Sequence, residues 1–313
     1  MMRVWLKVEL AGAAWPGRAR AAIRAALSAA LVAAFVLMRP DAAGADDAGK
    51  RDAGARLGGP PGDVVVPNFW DPRARIERPD PAEIGGIRFL TTEDFPPFSF
   101  RDRRGVLIGF NIDLVTALCH VLKVDCAMQF RPFDTLYETL VKSEGDAVIS
   151  GLRAGEAGPD VIATAPYMKL PARFVTRRGT DFNPHDASGG DFIGAVCGSV
   201  HAAFLLRFFS DWRVGCYASL AAALTELNHG RIIAVFGDAL PSAFWLHGEM
   251  SGNCCAFAGG PYLDDRYFGP GLSIALRKTD RRLKTALDYA LREVYRSGKY
   301  EELYLRYFPI SLY

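Results

Sequence analysis

Histidine is scarce in this chain, with five among 313 residues, and none pairs with another at the HxxxH spacing. No two of the six cysteines form a CxxC. The usual ligand sets of a zinc site are therefore missing, and neither a metal nor a cofactor is expected. An excess of charge of one sign is missing too. Lys plus Arg number 37 against 35 Asp plus Glu, a formal net charge of +2, which gives no basic face for nucleic acid. Beyond residue 45 no apolar run reaches the roughly 20 residues that span a bilayer. No internal repeat is evident. What is present is a globular composition, half apolar and 23% charged, which argues against disorder. At about 150 residues per domain the length suggests two domains.

The first 45 residues read as a leader rather than as fold. Arg18, Arg20 and Arg24 precede an apolar run from Ala25 to Met38, followed by Arg39-Pro40 and the small residues Ala43-Gly44-Ala45. That is the pattern of a secretory signal peptide cleaved after Ala45. The apolar run is too short for an anchor, and the leader has no evident lipobox cysteine. A free periplasmic protein without membrane insertion is the expectation. Export places all six cysteines in an oxidising compartment, where disulfides are favoured over reactive thiols. Six allow fifteen connectivities, so counting leaves the pairing open.

Residues 46–86 are rich in Gly, Pro, Ala, Asp and Arg and read as a tether. From Ile87 a short strand, a Pro-Pro turn and a hairpin are expected, then a helix carrying Ile112, Val115, Leu118 and Leu122 on one face. Strands near Cys126–Phe130 and Ala147–Ile149 flank a helix at Leu136–Val141. Beyond Arg177 the alternation restarts as FIGAVC, a helix opened by Gly198-Ser199, RVGCYA, the helix Leu220–Leu227, IIAVF, and a helix over Pro241–His247. LSIAL then leads into a long amphipathic helix with Leu283, Leu287, Ala290, Leu291 and Val294 as its stripe. Gly298 ends it, and the helix Tyr300–Tyr307 closes the chain. Strand and helix alternating with short connections predict two α/β domains on parallel sheets.

Several motifs stand in one order: DFPPFSF at Asp94–Phe100, GFNIDL at Gly109–Leu114, PFDTL at Pro132–Leu136, ISGL at Ile149–Leu152 and APYM at Ala165–Met168. The tail from Tyr267 (YFGPGLSIALRKTD) through GKYEELYLRYFP completes them. Over about residues 87–313 the sequence resembles the extracellular solute-binding proteins of polar amino acid ABC transporters. It is nearest to the lysine/arginine/ornithine-binding and histidine-binding proteins. The resemblance implies a two-lobed α/β fold of the type II periplasmic binding proteins, with a cleft between parallel or mixed sheets and a two-segment hinge. Residues 87–177 plus 267–313 would form lobe 1 and residues 178–266 lobe 2, with the crossings near Arg177–Thr180 and Asp265–Phe268. It also implies a monomer that captures a small amino acid-like solute by closing the cleft and hands it to a membrane permease.

The resemblance further implies a site. Phe95 and Phe133 fall at aromatic positions that would sandwich the ligand's side chain. Ser150 and Gly151 fall where the family offers a hydroxyl, a carbonyl and an amide. Ser199 lies at a helix start suited to a carboxylate, and also reads as an ordinary helix cap. Val200 takes a place where the family often has a second hydroxyl. Asp238, past IIAVF, matches the acid that receives the ligand's α-ammonium, and also reads as a cap for the next helix. The family's acid near the first aromatic falls on Thr92, with Glu93 and Asp94 adjacent. Its carboxylate-binding Arg is absent: the segment reads RAGEAGPD, with Gly158 or a deletion in its place. Arg153 is the nearby substitute, the alternative being a ligand that is not an α-amino acid. Cys119 and Cys126 carry the family's disulfide spacing. Cys197 and Cys216 are either bridged to each other or paired with Cys254 or Cys255. These last two, being adjacent, do not easily pair with each other, so at least one of them is expected to find a distant partner.

Two rivals come from other classes. One is an enzyme like the cyclohexadienyl dehydratases on this fold, which would need an acid such as Glu156, Asp160 or Asp238 in the cleft. The other is a periplasmic accessory protein of a quinoprotein methanol dehydrogenase, which fits the lost Arg, the extra cysteines and the long lead-in. A closed polar cleft favours solute binding, and a large exposed apolar groove favours a protein partner.

Overall fold

A computed structural model of the chain describes residues 66–69, 75–151, 158–187, 191–308 and 311–313. The leader over residues 1–45 and Arg153 lie outside them. After a short helix α1 (Pro81–Ile84) come β1 (Ile87–Thr91) and a small meander of β2 (Asp94–Phe95), β3 (Ser99–Arg101) and β4 (Leu107–Ile108). Helix α2 (Phe110–Leu122), β5 (Cys126–Phe130), α3 (Leu136–Val141), β6 (Ala147–Val148) and β7 (Val161–Ala163) follow. The middle of the chain supplies β8 (Ala172–Arg177), β9 (Phe192–Val196), α4 (Val200–Phe208), β10 (Arg213–Tyr217) and α5 (Leu220–Asn228). It continues with β11 (Ala234–Asp238), α6 (Ala239–His247), β12 (Cys255–Tyr262) and α7 (Asp265–Phe268). Strand β13 (Ala275–Arg277) and helices α8 (Arg281–Arg296) and α9 (Lys299–Tyr307) complete it.

Two five-stranded sheets result, in the orders β5-β1-β6-β13-β7 and β10-β9-β11-β8-β12. Both are mixed. β13 runs antiparallel between β6 and β7, so strands from the two ends of the described chain close the first sheet. In the second, β8 is antiparallel to both β11 and β12. The chain leaves the first sheet after β7, and Ala172–Arg177 already belongs to the second. The outgoing crossing therefore lies ahead of the expected Arg177–Thr180. On the return, Phe268 still packs with the second lobe's core, and Leu272 is the first residue back in that of the first. The two crossings touch where Met168 and Leu272 form an antiparallel bridge. Gly271 permits the contact, since its φ is +110° and a Cβ there would stand 2.6 Å from the Met168 carbonyl oxygen.

The first core explains several motifs. At Gly109, φ is +139° and a Cβ would run into the Phe98 carbonyl, so only glycine lets α2 start there. Phe110 is fully buried, and Asn111 accepts a 3.1 Å hydrogen bond from the Tyr167 hydroxyl. The Ala165 amide in turn donates to buried Asp288 on α8 at 2.8 Å. The buried stripe of α2 is Leu114, Val115, Leu118, Cys119 and Leu122, with Ile112 only half-buried. Each such side chain contributes roughly 1.5–3 kcal/mol by leaving water. The lead-in is not wholly a tether. Val66 and Ile84 pack on the first core, and the Phe69 ring lies 5.7 Å from that of Tyr313.

All six cysteines are bridged: Cys119–Cys126, Cys197–Cys216 and Cys254–Cys255. The last pair corrects the expectation that adjacent cysteines seek distant partners. Their Cα atoms stand 3.7 Å apart, the ordinary spacing of neighbours across one peptide bond, and the two side chains turn toward each other where β12 begins. The remaining four cysteines pair within their own lobes.

Asp146 ties three strands of the first sheet together. It accepts from the Arg88 side chain at 2.9 and 3.0 Å and from Arg277 at 3.3 Å. Burial pushes its carboxyl up, but the hydrogen bonds from Arg88 and Arg277 outweigh that and hold it below the ordinary carboxylate range. A depressed acid stabilises the fold above its unfolded value and loses that contribution as pH falls through the folded one. We therefore expect the urea unfolding free energy to drop on acidification below about pH 4, and Asp146→Asn to drop less steeply. Equal slopes for both proteins would contradict this.

Candidate functional site

In the first lobe β1 and β6 are parallel neighbours, with Leu90 opposite Val148, so the residues past their C-terminal ends meet. Ser150 donates to Thr92 at 3.3 Å, and both are nearly inaccessible. Thr91 donates to the Ile149 carbonyl at 2.7 Å, which fixes the strand end that carries them. Gly151 follows at φ +76°, with the Phe95 ring 2.5 Å from a notional Cβ. The amide of Gly151 faces the Tyr167 hydroxyl, whose pKa burial drives well above the usual phenol value. Phe95 thus lies over Gly151 and stacks on buried Phe98 at 4.8 Å. Phe133, past β5 on the same sheet edge, is 55% exposed, so it is not core. Asp94 is exposed, and Glu93 is held by Arg101 at 2.7 Å.

In the second lobe β9 and β11 are parallel neighbours, and their C-terminal ends place the Gly198-Ser199 turn and Asp238 on one edge. Ser199 caps α4 by accepting from the Ala202 amide at 3.2 Å and donates to the Val196 carbonyl at 2.7 Å. Its hydroxyl is therefore committed to the helix. The amides of Val200 and His201 in the first turn have no partner within the helix. The Cys197–Cys216 bridge pins this turn to β10. Asp238 precedes α6, yet its side chain makes no cap hydrogen bond. The cap reading of Asp238 therefore fails, and its carboxylate is nearly half exposed.

Asp238 also stands at the edge facing the other lobe. It pairs with Ala172 at the start of β8, and the Ala239 amide donates to Pro171 in the outgoing crossing at 2.9 Å. Ala239 and Ala243 pack into the first lobe's core. One residue of this site escaped sequence reasoning. His201 Nε2 lies 3.3 Å from Asp238 Oδ1, and its side chain is 90% buried. Its only sequence signal is a polar ring inside the first turn of an otherwise apolar helix, VHAAFLL. Among the described residues no three His, Cys, Asp or Glu side chains group as a metal site, and no helix is long and apolar enough to cross a membrane.

Two α/β lobes joined by paired crossings, with polar strand ends on their edges, define a two-lobed binding protein. The chain belongs to the bacterial extracellular solute-binding proteins, family 3, whose sequence profile matches residues 87–310. The lysine/arginine/ornithine-binding periplasmic protein of Escherichia coli is 30% identical over 234 residues, covering 72% of this chain and 89% of that protein. The L-arginine-binding protein of Pseudomonas aeruginosa is 31% identical over the same length, with the same coverage of 72% and 89%. The fold likeness extends to the unliganded open L-cystine solute receptor of Neisseria gonorrhoeae at a TM-score of 0.65 and 17% identity, covering 74% of this chain and 96% of that one. By name these relatives are two amino acid-binding proteins and a solute receptor.

Proposed function

We propose that the protein captures an amino acid with a cationic side chain between its lobes and passes it to an ABC transporter permease from the periplasm, after loss of the leader. The observation that carries this reading is the uncommitted Asp238 carboxylate beside the unpaired amides at the start of α4. An acid at that edge receives an α-ammonium, and helix-start amides receive a carboxylate. They supply the anion contact that the missing family Arg would otherwise make. Phe95 and Phe133 would flank the side chain, and the names of the relatives favour arginine, lysine, ornithine or histidine. The reading assigns binding without turnover.

Thermal melting of the protein from Asp46 onward, against a panel of amino acids, amines and organic acids, tests it. A ligand at 100 times its dissociation constant adds about 2.7 kcal/mol to the native state, a clear upward shift. An unmoved melt across basic and polar amino acids would refute the reading. Phe95→Leu keeps contact with Phe98 but removes the π face. Since stacking a cation contributes roughly 0.5–2 kcal/mol, L-arginine should bind about 2- to 30-fold more weakly to it. An unchanged dissociation constant by calorimetry would take Phe95 out of the site.

A further inference from the structure

Resting on the assignment of Asp238 to the ligand's ammonium, we propose that His201 is a positioning residue. Its ring nitrogen donates to one Asp238 oxygen and so turns the other toward the ligand. Four observations meet at this pair. The imidazole is held from two sides, stacked on Phe268 at 5.3 Å and 22° and edge-on to Phe236 at 5.9 Å, so it has little rotational freedom. Nε2 is buried with no hydrogen-bond partner among the described residues. Asp238 Oδ1 stands 3.3 Å from it, close enough to contact but out of hydrogen-bond alignment. Finally, the Asp238 side chain makes no bond to the helix it precedes.

A buried donor without an acceptor is costly, and a small rotation of Asp238 cures it. The same rotation decides which carboxylate oxygen faces the other lobe. What this requires of the imidazole is a proton on Nε2, the nitrogen that faces the carboxylate. A bare carboxylate on the strand end would keep its torsional freedom and would have to be ordered when the ligand arrives. His201 removes that cost beforehand, which is the physical content of preorganisation.

Two substitutions separate the donor from the packing. His201→Phe keeps a flat ring against Phe268 and Phe236 but has no donor. His201→Gln loses the ring and restores an N–H. With L-arginine as the calorimetric probe, His201→Phe should weaken binding at least tenfold, and His201→Gln should stay within about threefold of the parent. A merely structural histidine would give the reverse order. If His201→Phe binds L-arginine as tightly as the parent, the proposal is overturned.

A ligand-free arm distinguishes this failure from failure of the ligand reading. In protein labelled with nitrogen-15 at histidine, His201 should show the Nε2–H tautomer, and Asp238→Ala should shift that resonance and speed its proton exchange. A resonance indifferent to Asp238→Ala overturns the proposal whatever the ligand proves to be. A coupled resonance in a protein that does not bind L-arginine supports the His201–Asp238 bond and removes the ammonium assignment instead.

Discussion

Asp238→Ala will abolish the melting shift that a basic amino acid produces, while lowering the melting point of the ligand-free protein by no more than the loss of one buried hydrogen bond. The first half follows from what closing the lobes does to a charge. Nearly half exposed in the ligand-free chain, the carboxylate would be sealed from water against an ammonium once ligand is bound. Removing one partner of such a pair costs roughly 2–5 kcal/mol, because the other is left buried without compensation. That corresponds to about 30- to 5,000-fold in the dissociation constant. The second half follows from how little else the side chain holds: it caps no helix, and what the fold loses is the acceptor beside the buried His201 nitrogen, about 1–3 kcal/mol. Asp238→Asn should fail nearly as badly, since an amide keeps the shape and loses the charge. A preserved shift in either variant would place the ammonium elsewhere and return Asp94 to consideration. Calorimetry with L-arginine would give the magnitude.

Local signals in the sequence carried most of the elements, and non-local ones failed for identifiable reasons. The helix over Leu136–Val141 and the stripe of α8 depend on residues three and four apart, and both fall where the pattern puts them, with Leu283 only half-buried at the start of the stripe. Sheet membership does not work that way. Nothing in ARFVTR says that it pairs with residues 234–238 rather than continuing the first sheet, so the outgoing crossing is expected several residues too late. The bridge between the neighbours Cys254 and Cys255 likewise depends on side-chain directions at the start of β12, and the general rule on cysteine reach does not anticipate it. In the site, Asp238 and the Gly198-Ser199 turn were legible as residues past strand ends. Their division of labour was not. Ser199 gives its hydroxyl to the helix, and Asp238 does the opposite of capping, because each depends on a side-chain rotamer. His201 was missed for the same reason. A single histidine in an apolar helix is more often packed core than part of a polar site, and only the fold brings it to the acid.

The largest loss of stability is expected from Phe110→Ala, at the first residue of α2. Its ring is fully buried and central to a cluster: Phe308 lies at 5.4 Å, Tyr300 at 5.6 Å, and Phe98 and Tyr167 each at 6.3 Å. These come from three separate stretches of the chain, with Tyr300 and Phe308 both contributed by α9 and its cap. Truncation strips the apolar packing and leaves a cavity that rings on three sides cannot collapse into. The expected cost is about 3–5 kcal/mol, a large part of a domain's whole stability. The edge-to-face attraction between these rings disappears with the side chain, which pushes the cost toward the upper end. Urea unfolding at unchanged slope should report it, and Phe110→Leu should cost markedly less. A loss under about 1 kcal/mol for the alanine would mean that the core repacks around the gap. The site should register the damage as well. Phe110 supports Tyr167, whose hydroxyl donates to Asn111 and meets the Gly151 amide, and Gly151 is the floor on which Phe95 rests. A looser core beneath Tyr167 therefore lets Phe95 shift. The variant that survives purification should bind L-arginine more weakly than Phe110→Leu, although neither side chain touches the ligand.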